Sequence, residues 1–289
     1  MAVTNIKDYG HSVRTRLLNV AQSRNLRYQL LLTRYLQERL IYRVSISKYK
    51  HHFILKGGAL IYAYEGLEAR PTMDVDFMGN NIARDKDTLI EVFTEICSIP
   101  YPPDGVIFHP DTIRTSHIAV EKKYPGVNIT MLATLHSIKQ DVSFDIGFGD
   151  IVTPYPIEID FPTILDDEEE LPILAYSVET VIAEKFQAMI ERGDSNSRMK
   201  DFYDLYGILH RDIYNAEILA EAIRETFSNR HTYYTANHLF FSEEFLNNVD
   251  LNRRWGAYLR KLKPPHLYSF PEVVSFIQIS MKPYWERLR

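Results

Sequence analysis

The chain has 289 residues, 45% of them hydrophobic and 12% aromatic, enough to bury a sizeable core in one large domain or two ordinary ones. No apolar run approaches the roughly 20 residues that cross a bilayer, the N-terminus lacks a signal-type stretch, and Cys97 is the only cysteine, which excludes spanning helices, an intrachain disulfide and a cysteine zinc cage. The net charge of −5 hides a polarity: residues 1–56 hold 11 Lys/Arg against 2 Asp/Glu, the remainder 22 against 36, so a basic end either coats wet helix faces or meets a polyanion such as RNA. These features predict a soluble, cytoplasmic protein with no membrane partner.

In chain order, residues 11–22 and 25–43 read as two helices paired in a hairpin, the second with Leu26, Leu30, Leu36, Leu40 and Ile41 on one stripe and Arg27 and Arg34 off it. "FILKGGALIYAYEG" reads as strand, tight turn and helix, closed by Gly66. The stretch "RPTMDVDF", residues 70–77, is a strand; 86–97 is a helix; 126–135 and 140–148 are two strands joined at His136 and Ser137. Proline-rich residues 100–103 and 154–162 read as loops, and the acidic run Asp166, Asp167, Glu168, Glu169, Glu170 as a solvated one. Helices follow at 177–192 with Ser177 as N-cap, 199–210, 215–227, 242–262 and 271–288. The prediction is an α+β chain: N-terminal helices and a mixed-sheet domain over residues 1–165, then a helical C-terminal domain over 166–289.

The chemistry starts from parity. In "TMDVDF" the carboxylates Asp74 and Asp76 share one face of the strand and Met73, Val75 and Phe77 the other. Two such close like charges repel unless a cation compensates, and hard oxygens on a strand suit Mg²⁺, which takes one or two carboxylates plus substrate phosphates. Upstream, Gly57 and Gly58 stand at a strand-to-helix turn whose N–H groups can receive a phosphate, although the Walker pattern is absent and Lys56 precedes the glycines. In "VSFDIGFGD" Asp145 faces away from Val142, Phe144, Ile146 and Phe148; it either completes a metal site or acts as base, with Asp141 and Asp150 as rivals. Lys185 falls on the apolar stripe of "SVETVIAEKFQAMIERG" and either snorkels or reaches a triphosphate at a cleft between the domains. In "RMKDFYDLYGIL", Asp201 and Asp204 are i,i+3 neighbours, and Lys200 can pair with Asp204 in a surface salt bridge.

The ordered set "LKGG", "RPTMDVDF", "VSFDIGFGD", "AEKFQAM" and "RMKDFYDLY", over residues 50–210, resembles the AbiEii/AbiGii nucleotidyltransferase toxin family. The resemblance implies a polymerase-beta-like nucleotidyltransferase fold and a toxin of a bacterial toxin–antitoxin or phage-defence pair, with a cognate antitoxin. It assigns the metal-binding D-x-D to Asp74 and Asp76, the triphosphate turn to Gly57 and Gly58, the helical-half lysine to Lys185, and a downstream acid to one of Asp201 and Asp204. Lys56 and Arg70, flanking these motifs, join the nucleotide-binding candidates. The wider superfamily has Gly-Ser where this chain has Gly57-Gly58, so a phosphate-binding hydroxyl is missing from the turn. The expected activity is Mg²⁺-dependent transfer of a nucleoside monophosphate from an NTP to the 3′ end of tRNA; the alternatives are a small-molecule or protein hydroxyl as acceptor, or a catalytically silent nucleotide binder.

Overall fold

The computed structural model describes residues 8–66, 69–72, 74–118, 125–166 and 171–289. Met73 and the acidic residues Asp167 to Glu170, both given a place in the sequence reading, lie outside them. The helical elements are α1 (Tyr9–Ser23), α2 (Tyr28–Ser45), α3 (Gly57–Glu65), α4 (Lys86–Cys97), α5 (Val178–Arg192), α6 (Met199–Arg211), α7 (Ala216–Asn229), α8 (Glu243–Leu246), α9 (Val249–Leu262) and α10 (Phe270–Glu286). The strands are β1 (Phe53–Lys56), β2 (Asp74–Gly79), β3 (Val106–Ile118), β4 (Gly126–Leu135), β5 (Ile138–Gly147), β6 (Ile157–Phe161) and β7 (Leu171–Ala175). They form one sheet in the order β3-β4-β5-β2-β1-β7-β6, mixed because β2 runs parallel to β5 and β1 parallel to β7. The α+β architecture with an N-terminal hairpin and helical C-terminal part is as expected.

Two compact units divide the chain. The first holds the described residues up to Gly149 and Ile157–Ala175; the second holds Asp150–Pro156 and Tyr176–Arg289. The division falls after Ala175 instead of at 165, because the segment read as a loop around 154–162 contains β6, and β6 and β7 extend the sheet. In "IEIDF" Ile157, Ile159 and Phe161 alternate with acids, a strand signal masked by flanking prolines; β6 is the outermost strand, where proline neighbours cost no ladder bond. Strand β3 was also missed: it is the opposite edge, contains Pro110, and changes register between His109 and Arg114. The helix expected over 242–262 is broken, since the Asn248 side chain accepts from the N–H groups of Asp250 and Leu251 and starts α9 anew.

In the first unit the apolar face of the sheet packs rings of Phe77, Phe53, Phe93 and Phe144, with successive centroids 4.4–5.9 Å apart. Helix α2 is buried on every side over residues 35–45, and this corrects the picture of its basic residues as a wet face. Arg39 is paired with Glu38, and Arg43 forks onto the buried Asp104. Of the N-terminal arginines, Arg24 and Arg27 are exposed and Arg14 and Arg16 half-buried. The second unit has its own aromatic core, in which Phe186 packs against Phe227 at 5.4 Å and Trp285 at 6.4 Å. No helix among the described residues is long and apolar enough to cross a membrane.

Candidate active site

Strand pairing lines up the polar side chains of the first unit in rows. Across β1, β2, β5 and β4, Lys56 pairs with Asp76, Asp76 with Asp145, and Asp145 with Asn128; paired residues on neighbouring strands project to the same face. The next row runs Asp74, Ser143, Thr130 and Arg114. Asp74, Asp76 and Asp145 are all half-buried, while Val75, Phe77, Phe144 and Ile146 between them are buried in the core. The alternation thus puts three acids on one face of adjacent strands.

The glycine turn meets this row directly. Gly57 opens α3 with φ +66°, a left-handed conformation that favours glycine, and a Cβ there would lie 1.9 Å from Asp76 Oδ2. The α3 N-terminus has no side-chain cap, so its first N–H groups and the helix dipole face the same region as the Asp76 carboxylate. We expect Gly57→Ala to lower stability by about 1–2 kcal/mol from backbone strain and to displace Asp76. Urea unfolding checks this, and an unchanged midpoint would show that the turn tolerates a side chain.

Gly58 explains the missing hydroxyl. A Cβ at Gly58 would meet Thr72 Oγ1 at 2.8 Å and Thr72 Cβ at 2.9 Å, so the space beside the turn is filled by a hydroxyl from the segment leading into β2. Thr72 Oγ1 donates to the Asp74 carbonyl at 3.0 Å. Sequence reasoning missed Thr72, although it stands two residues before the D-x-D. Arg70 is half-buried and donates to the Pro71 carbonyl at 3.4 Å.

The rivals of Asp145 are engaged elsewhere. Asp141 has the same parity but accepts from Arg114 Nη2 at 2.8 Å on an exposed part of the sheet. Asp150 belongs to the second unit, where it accepts from Arg230 at 3.0 Å and from the Tyr176 hydroxyl at 3.2 Å. Asp145 instead accepts from Asn128 Nδ2 at 2.7 Å.

The other candidates form a cluster inside the second unit. Lys185 on α5 donates to Asp201 Oδ1 at 2.9 Å and Asp204 Oδ2 at 2.8 Å, both on one face of α6, and Arg198 reaches the far oxygen of Asp201 at 2.7 Å. This replaces the expected surface pair of Lys200 with Asp204: Asp201 and Asp204 are each 2% exposed. Burial pulls the Lys185 ammonium down, but Asp204 and Asp201 together outweigh it and hold its pKa above the ordinary value. Burial likewise raises Asp201, and Lys185 with Arg198 reverses this to a net lowering.

A divalent cation fits the donor set of the first unit. Asp74 and Asp76 offer hard oxygens on one strand face, Asp145 stands in register beside Asp76, and the glycine cradle leaves room next to them. Among the described residues, no group of three or more acids, histidines or cysteines is arranged to hold a metal ion.

Comparisons with known proteins bear on the same motifs. The sequence model of the nucleotidyl transferase AbiEii toxin of type IV toxin–antitoxin systems matches residues 39–276, a span that includes every candidate named above. No curated protein matches the chain. Several solved structures align with it at low identity. JHP933 from Helicobacter pylori is 15% identical, with 91% of this chain and 94% of that one covered and a TM-score of 0.48. An antigenic nucleotidyltransferase-like protein from Paracoccidioides brasiliensis is 13% identical, with 78% and 90% covered and a TM-score of 0.36.

Proposed function

We propose a reaction from one premise: this chain belongs to the AbiEii family of nucleotidyltransferase toxins of type IV toxin–antitoxin systems. Membership makes the chain a toxin-type nucleotidyltransferase, and it implies an NTP as substrate and an antitoxin as partner. The proposal is that it transfers a nucleoside monophosphate to the 3′ end of tRNA in the presence of Mg²⁺. The acceptor hydroxyl gives up its proton to water, its oxygen forms a bond to the α-phosphorus, the bond from that phosphorus to the bridging oxygen breaks, and pyrophosphate leaves.

The observation that supports this best is the contact of the Gly57 turn with Asp76, which sets anion-receiving N–H groups beside cation-binding carboxylates. Asp74 and Asp76 would hold Mg²⁺, with Asp145 as a third oxygen donor. The bound ion supplies neutralisation of the triphosphate and of the charge growing on pyrophosphate. The α3 N-terminus, Gly57 and Gly58 receive phosphate oxygens, with Lys56 and Arg70 as flanking cations. In the second unit, Lys185, Asp201 and Asp204 remain candidates for nucleotide handling. The exposed Arg24 and Arg27 support a polyanionic acceptor.

The test is incubation with Mg²⁺, each of the four α-labelled NTPs in turn, and total bacterial RNA. Label in tRNA-sized RNA, with one base preferred, is the expected result. Label in protein or in a small molecule would transfer the assignment to another acceptor, and NTP binding with no labelled product would make the chain a silent binder.

A further inference from the structure

The Asp145 carboxylate is flanked in register by Asp76 on β2 and by Asn128 on β4. Asn128 Nδ2 donates to Asp145 Oδ1 at 2.7 Å and to Ser143 Oγ at 2.9 Å, and its Oδ1 accepts from Thr130 Oγ1 at 3.2 Å. An ionised carboxylate only accepts, and a hydroxyl can donate, so a single amide orientation satisfies all three contacts. Turning the amide over would set its oxygen against the carboxylate. The Asp145 carboxylate sets which way the amide faces, since hydroxyls accept or donate alike; Thr130 and Ser143 then anchor the amide, and Asn128 Nδ2 holds one oxygen of Asp145.

We propose that Asn128 is a positioning residue for the cation site: it holds the Asp145 carboxylate, against repulsion from Asp76, in the rotation that lets it serve as an oxygen donor to the divalent ion. This rests on the reading that Asp74 and Asp76 bind that ion. The chemistry of the residue suits the task. A lysine or arginine in its place would neutralise Asp145 and compete with the cation, whereas an amide donates a hydrogen bond and leaves the full negative charge for the metal. A shorter serine at this position would keep a hydroxyl but give up the second hydrogen that ties the donor to Ser143.

The test uses the full chain, Mn²⁺ in place of Mg²⁺, and an α,β-methylene NTP that cannot be transferred. Electron paramagnetic resonance reads Mn²⁺ affinity without turnover, and transfer assays give kcat and KM for the NTP. Asn128→Ala is expected to weaken Mn²⁺ binding or lower kcat by about 10–100-fold, with KM for the NTP nearly unchanged. Added to Asp145→Ala, the Asn128→Ala change is expected to cost nothing further, because it acts only through Asp145. Should Asn128→Ala not fold, Thr130→Val, which frees the amide from behind, is expected to show a smaller loss in the same readouts. Unchanged Mn²⁺ affinity and kcat in these variants, or a full additional loss on the Asp145→Ala background, would overturn the proposal while the cation site stands. Mn²⁺ binding unaffected by Asp145→Ala would overturn this proposal alone, and wild-type protein that binds no Mn²⁺ with the analogue would overturn both.

Discussion

Asp76→Ala is expected to lower nucleotidyl transfer by about 10³-fold or more, equivalent to roughly 4 kcal/mol of barrier, with the melting temperature close to wild type. Asp76 lies on the polar face, half-buried, while the side chains that build the core, Val75 and Phe77, point the other way. Truncation therefore opens no cavity among Phe53, Phe93 and Phe144. What it removes is the carboxylate that touches the Gly57 turn and stands in register with both Lys56 and Asp145. Asp76→Asn keeps the shape and deletes the charge, so a loss of similar size there assigns the effect to cation binding. Asp74→Ala is expected to behave alike. The labelled-NTP assay run beside a thermal melt decides the matter: full transfer by either variant would remove these residues from the site.

Lys185→Met is expected to destabilise the protein by about 3–5 kcal/mol, the cost of leaving buried charge without its partner. Lys185 bonds two carboxylates that are almost wholly inaccessible, and without it both lose the ammonium between them while Asp201 keeps Arg198. The pH dependence has a definite sign. Asp201 has a folded pKa below its ordinary 3.8, so its contribution is present above that value and lost as pH falls through the lower folded one. Lys185 has a folded pKa above 10.5, so its contribution is complete below 10.5 and lost only as pH rises through the higher value. In the variant, protonation of a carboxylate removes the uncompensated charge, so the gap from wild type should be widest near pH 7 and narrow in mild acid. Urea unfolding at pH 7 and 4.5 measures both; equal midpoints at pH 7 would show that the cluster adds nothing to stability. Lys185→Arg keeps the charge but exchanges three rotatable donors for a planar fork, so a partial loss is expected.

The D-x-D face was legible because strand periodicity is local: two residues apart means the same side. What in the fold separates Asp145, in register with Asp76, from Asp141 and Asp150 was not. It depends on Arg114 capturing Asp141, and Arg114 is on β3, a strand whose proline and register change hid it. Likewise the turn at Gly57 was readable as a turn, but its reason is a carboxylate 19 positions along the chain, brought close by antiparallel pairing of β1 with β2. Arginines in an amphipathic pattern look wet until their partners are known; Arg43 finds Asp104 from a 3-10 turn 61 residues away. Asn128 shows the same limit, since "GVNITM" places it on the polar face and says nothing of the acid beside it.

The alternation of the chain between its two units has a consequence for biosynthesis. All seven strands, with every residue of the carboxylate rows, have been made once Ala175 is added, and the bulk of the second unit follows later. A nascent chain emerging from the ribosome can close the sheet first, with Asp150–Pro156 held out as a loop awaiting the helices it will join. Truncation at residue 165 would instead delete β7 and leave β1 without its parallel neighbour, so a stop codon placed after Ala175 is the earliest that spares the sheet.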